Sequence, residues 1–152
     1  MRISAKADYA VRATAELAAA KLGTTMKAEQ LAHSQEIPLK FLLNILIELK
    51  HAGLVHSHRG ADGGFALARS ADLITIADVI RAVEGPLATV QDIRPENLRY
   101  TGAAAELQSV WVAVRSSLRT VLEEVTLADL VGGSLPQSVS RLAGRPEAWI
   151  SH

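Results

Sequence analysis

A chain of 152 residues that is 49% hydrophobic can bury one compact core with an appended element, and no apolar run approaches the roughly 18 residues that span a bilayer. Cysteine is absent, which excludes disulfides, thiolate catalysis, zinc–sulfur sites and cysteine-held iron–sulfur clusters. The formal net charge is zero but unevenly spread: residues 1–70 carry nine Lys/Arg against six Asp/Glu, and residues 71–152 carry seven against ten, so a polyanionic partner belongs to the first half.

The chain opens with charges where a signal peptide would be apolar, so a cytoplasmic protein is expected. Residues 4–22 have high helix propensity, with Ser4 as cap, Gly23 as stop and a small-residue stripe of Ala10, Ala13, Leu17 and Ala20. Lys6 and Arg12 lie off that stripe, either as solvated charges or as contacts to a DNA phosphate. A short helix near 27–32 and a polar turn follow, and Pro38 suits the first turn of a second helix running to about residue 51. The pair is a helix-turn-helix candidate, a pattern that many all-α proteins share.

In the second helix Leu39, Phe41, Leu42, Ile45, Leu46 and Leu49 define an expected core face. Lys40, Asn44, Glu48 and His51 form one narrow polar stripe at i, i+4, i+8 and i+11. In a major groove Asn44 suits an adenine edge, Lys40 a guanine or a phosphate, and flanking Leu43 and Ile47 thymine methyls. A core helix with a solvated edge explains the same pattern. After Gly53, residues 54–58 and 65–68 read as a β-hairpin whose tip holds Gly60, Gly63 and Gly64. Arg59 at that tip suits a narrow, electronegative minor groove, and the plain alternative is a surface hairpin. His56 and His58 share one side of the strand; with no third donor nearby, DNA backbone contact or simple exposure outweighs a metal pair.

Thr75 with Asp78 caps a helix whose apolar face is Ile76, Val79, Ile80 and Val83, and Gly85–Pro86 stops it. Residues 86–102 lack a period and read as a connecting loop. Residues 103–125 form the longest expected helix, about 35 Å. Along it Leu107, Trp111, Val114, Leu118, Val121 and Val125 are spaced 4, 3, 4, 3, 4, a heptad seam suited to a dimer interface. Thr126 starts a short helix, and the residues after it read as a loose tail.

The stretches ISAKADYAVRA, IPLKFLLNILIELKHAGLV, HSHRGADGGFAL, ITIADVIRAVEG and VTLADL cover about residues 1–131 in a familiar order. The chain resembles the Rrf-two (Rrf2) family of bacterial winged helix-turn-helix transcription regulators, which includes iron–sulfur-sensing, nitric-oxide-sensing and cysteine-metabolism repressors. The resemblance implies a mainly α fold with a small β-hairpin. It implies a DNA-binding domain at 1–85, a connecting or sensor loop at 86–102, a dimerisation helix and short helix at 103–131 and a tail at 132–152. It further implies a homodimer with two recognition helices one DNA turn apart on an inverted repeat of double-stranded DNA, and Lys40, Leu43, Asn44 and Arg59 on that DNA.

Two departures stand out. Leu43 is apolar where cluster-binding relatives carry a polar base reader, so their base preference does not transfer. Many relatives hold a [2Fe–2S] or [4Fe–4S] cluster with three cysteines between the RAVEG helix and the dimer helix; residues 86–106 contain none, so no such cofactor is expected. The resemblance then points to a metabolite, a partner enzyme or no input at all, with Gln91, Asp92, Arg94 and Arg99 as the expected place for an anionic effector. An enzyme is not expected, since no nucleophile elbow, P-loop, GxGxxG or HExxH occurs. The remaining alternative is a winged-helix interaction module that no longer reads DNA.

Overall fold

The structure, a computed structural model, describes residues 2–151. Seven α-helices and one β-hairpin follow in the order α1 (Ala5–Ala19), α2 (Ala28–Ser34), α3 (Leu39–His51), β1 (Val55–His58), β2 (Gly64–Leu67), α4 (Ile76–Glu84), α5 (Leu107–Leu122), α6 (Leu127–Gly132) and α7 (Gln137–Ala143). Ser4 caps α1 by accepting from the Ala7 N–H at 3.0 Å. The helix stops at Ala19; Gly23, expected as its stop, falls in the turn beyond at φ +80°. Ala7, Ala10 and Ala13 are almost fully buried, and these small side chains bring α1 close to α3, α4 and α6.

The core of the first half joins Ala10, Ala13 and Leu17 of α1 to Leu31 of α2, Leu42, Ile45, Leu46 and Leu49 of α3, and Val79 and Val83 of α4. Deleting one such buried leucine side chain typically costs about 2–5 kcal/mol. The expected α3 core face is therefore narrower than its composition suggests. Leu39 and Phe41 are 38% and 56% exposed, and Phe41 instead meets Tyr9 of α1 edge to face at 6.4 Å.

The hairpin pairs Val55 with Leu67 through His58 with Gly64. A third chain segment beside the hairpin, absent from the sequence reading, comes from Met26 just before α2, whose backbone exchanges hydrogen bonds with Phe65 at 2.9 and 2.8 Å. Gly64 makes this possible: its φ is +151°, and a Cβ there would stand 2.6 Å from the Met26 carbonyl oxygen. Gly63 is equally constrained, since a Cβ would stand 2.5 Å from the His58 carbonyl oxygen.

The back half differs from expectation in three ways. First, α5 spans 16 residues, about 24 Å rather than 35 Å. Gly102, at φ +60°, opens a 3-10 turn over Gly102–Ala104 instead of α-helix. Second, Val125 lies beyond α5 and is buried in its own chain, and Leu127 is fully buried in the core of the first half. Ile76 N–H donates to the Val125 carbonyl and Leu127 N–H to the Ile74 carbonyl, both at 2.9 Å. The starts of α4 and α6 thus lie side by side, each with a capping box, Thr75 with Asp78 and Thr126 with Asp129. Residues 125–127 therefore pack with the first 85 residues and not as part of a separate helix. Third, the expected loose tail contains α7 and a closing 3-10 turn, Pro146–Trp149.

Candidate nucleic-acid interface

The helix-turn-helix is held from behind by α1. The turn between α2 and α3 places Glu36 at φ +52°, a left-handed conformation costing a non-glycine residue on the order of 1 kcal/mol. Arg12 donates to the Gln35 carbonyl at 3.0 Å, and the Gln35 amide donates to Glu16. The Arg12 guanidinium also stacks 4.9 Å from the Tyr9 ring centre. Its Nε stands 3.0 Å from Asp8 in an ion pair, while that buried N–H makes no hydrogen bond. Lys6 reaches Glu48 of α3 at 2.8 Å. Both cations expected as solvated or phosphate-contacting are thus engaged with their own fold.

What α3 turns outward is Lys40, Leu43, Asn44, Ile47 and His51, with Glu48 half-buried behind them and neutralised by Lys6. Leu43 and Ile47 are 43% and 51% exposed, so the face alternates amide, cation and methyl groups. Those are the chemistries that meet base edges and thymine methyls. Beside Asn44, Lys6, Phe41, Ile47 and Glu48 line a shallow depression of about 400 Å³.

The wing is oriented relative to α3 by a contact that sequence reasoning missed. Lys50, in the last turn of α3, donates from Nζ to Ser57 Oγ of β1 at 2.9 Å. Thr25 Oγ1 donates to the Asp62 carbonyl at 2.9 Å, pinning the tip from the other side. Arg59 follows β1 directly and is exposed, with no ion pair among the described residues. His56 and His58 stack edge to face at 4.6 Å along one face of the strand.

On α5 no residue is fully buried. Leu107, Trp111, Val114, Leu118 and Val121 are half-buried, and Val110, off the seam, is 49% exposed. The Trp111 indole N–H is buried without a partner. In the loop, Gln91, Asp92, Arg94 and Arg99 are all exposed but do not converge. Gln91 and Asp92 form a left-handed turn closed by Val90 and Ile93, and Arg99 donates to the Glu96 and Leu98 carbonyls at 3.1 and 2.7 Å. The signal for the α4–α6 pairing was present, since ITIADVI at 74–80 repeats as VTLADLV at 125–131.

The Rrf2 family model, described as an iron-dependent transcriptional regulator, matches residues 3–133. A Mycobacterium tuberculosis protein named as a candidate HTH-type transcriptional regulator is 53% identical over 143 residues, covering 94% of this chain and 89% of the relative. The HTH-type transcriptional regulator CymR of Bacillus subtilis is 34% identical over 130 residues, 86% of this chain and 89% of CymR. Among solved structures, CymR, the global cysteine regulator of B. subtilis, superposes with a TM-score of 0.74 at 30% identity, covering 88% of this chain and 98% of that one. IscR of T. potens does so at 0.72 and 29%, covering 100% and 93%. The iron of the family description finds no fitting donors here. The chain has no thiolate, and among the described residues no three His, Cys, Asp or Glu side chains gather as a metal site.

Proposed function

The chain belongs to the Rrf2 family of winged helix-turn-helix transcriptional regulators, which are not enzymes, and on that premise we propose that it represses transcription as a cytoplasmic homodimer on an inverted-repeat operator. In this reading α3 enters the major groove, where Lys40 and Asn44 meet base edges or phosphate and Leu43 and Ile47 contact thymine methyls. Arg59 enters the adjacent minor groove, with His56 and His58 along the backbone. Lys6 and Arg12 act one step back: they hold the recognition helix and its turn in place and can lend charge to nearby phosphates. The seam Leu107, Trp111, Val114, Leu118 and Val121 pairs two chains, while Val125 supports it from the core. The functional division follows as a reader over 1–85, a loop over 86–102, a pairing segment over 103–131 and a tail from 132, with the start of α6 anchored on the reader.

The observation that carries this reading is the Lys50–Ser57 hydrogen bond, which links the last turn of α3 to the strand that leads to Arg59. Without thiolates, any input that regulates binding is of another chemistry than a cysteine-held cluster.

Selection of bound fragments from sheared genomic DNA tests the proposal. Enrichment of an inverted repeat with half-sites one helical turn, or a multiple of it, apart is expected. Enrichment of no motif, with binding insensitive to salt, would favour a winged-helix interaction module that uses the apolar Leu43 and Ile47 on a protein partner.

A further inference from the structure

A second concave site lies away from α3 and the wing. It is a cleft of about 470 Å³ between the last turn of α4, the loop after it and the inner face of α5. Four arginines line it, Arg81 from α4, Arg94 from the loop, and Arg115 and Arg119 from α5, against an apolar wall that includes Leu87. Two carboxylates partly offset them. Glu96 pairs with Arg115, and Glu123 is shared by Arg81 and Arg119, the latter at 2.9 Å. Arg94 makes no ion pair within contact distance among the described residues, and it acts on Glu96 only through its charge. Both carboxyls are held below the usual carboxylate range, Glu96 first by its own backbone N–H and then by Arg115, Glu123 by Arg81 and then Arg119. Both stay ionised, so the cluster carries four positive charges against two negative.

The carbonyl end of α4 subtracts about half a charge more, which still leaves the cleft positive. The Arg115 side chain is 19% exposed, so its stem packs into the wall of the cleft while its guanidinium reaches Glu96. Concave, partly desolvated walls focus such a field on whatever enters. Guanidinium forks also match the paired oxygens of carboxylates and phosphates better than a point charge does.

We propose that this cleft binds a small dianion of the dicarboxylate or phosphomonoester type, with Arg94 as its unpaired anchor and Arg115 and Arg119 completing the grip. The cleft includes Arg94 of the four loop residues first expected to hold an anion, and replaces Gln91, Asp92 and Arg99 with arginines from two helices. Because α4 packs on α1 and α3, a ligand here joins the scaffold of the reader to α5. The binding site itself stands whether or not the chain reads an operator.

Isothermal titration of the full chain with inorganic phosphate, and separately with succinate, at constant ionic strength tests the inference. Saturable binding of at least one dianion, in the millimolar range or tighter, is expected, with acetate at equal ionic strength giving none. Which dianion saturates identifies the class. R94Q should weaken binding about tenfold or more while its circular dichroism melt matches wild type. R94K should recover part of the loss, and R141Q, the same charge change on α7, should bind as wild type does. No saturable heat with either dianion, or equal affinity in R94Q, would overturn it.

Discussion

Replacing Arg59 by alanine separates binding from folding more cleanly than any other change at the wing. The side chain is exposed at the hairpin tip and pairs with no described residue, so its loss removes nothing from the core. The melting temperature should hold within the small effect expected of a surface change, about 0.5 kcal/mol. On an operator each copy would lose one charge-assisted contact, about 1.5–3 kcal/mol. A symmetric dimer loses two, so the affinity should fall about a hundredfold or more. Two lost phosphate-neutralising charges should also flatten the log–log salt slope by about 1.8. Fluorescence anisotropy on a selected operator, titrated at several salt concentrations, measures both quantities. An unchanged slope and affinity would refute the minor-groove role. A collapse of the melt together with binding would instead make Arg59 a structural part of the hairpin.

Three more substitutions probe the recognition helix, the α5 seam and the α6 cap. Asn44→Ala should cost about 1–3 kcal/mol at one base pair per half-site and little elsewhere; competition with operators mutated one position at a time checks this, and a uniform loss would reduce Asn44 to a positioning contact. Val114→Asp puts a charge on the half-buried flank of α5 away from Arg115, and light scattering should show a dimer for wild type and a monomer for the variant; a variant still dimeric would move the interface. Asp129 accepts from the Thr126 backbone and then its hydroxyl, which hold its carboxyl below the usual range. A lowered folded value adds stability above the unfolded carboxylate value, near 4, and that stability is lost as pH falls through the folded value. Asp129→Asn should therefore flatten the fall of melting temperature below about pH 4, and an equally steep fall would show that ionisation of Asp129 adds nothing to the acid loss.

The elements that local rules govern were legible from residues alone. Ser4 caps α1, Thr75 with Asp78 caps α4, and the glycines at 60 and 63 mark the hairpin tip, because each needs only its near neighbours in the chain; Gly64 was legible as a tip glycine too, but its close approach to Met26 was not. What escaped depends on partners distant in sequence. Lys6 and Arg12 read as free cations because Glu48 and the Gln35 carbonyl reach them only through the tertiary fold. Leu39 and Phe41 look like core on a helical wheel, yet α3 is covered on one side only, and both remain exposed. Residues 103–106, a run of AAAE, have the propensity for α-helix. Gln108, however, donates to the Pro95 and Glu96 carbonyls, which anchors the start of α5 against the loop. Val125 fits the heptad count but takes its place beside Ile76 through a backbone hydrogen bond that periodicity does not encode. The arginine cleft was half visible, since Arg94 stood out in the loop while its companions on α4 and α5 did not.

Hydroxyl-radical footprinting of the full chain on a selected operator tests the central claim, that two copies present α3 and the wing as one symmetric reader. Protected patches related by a two-fold axis are expected, centred one helical turn or a multiple of it apart on one face of the duplex, with flanking minor-groove protection that disappears in Arg59→Ala. A single asymmetric patch, or protection that ignores sequence, would contradict it.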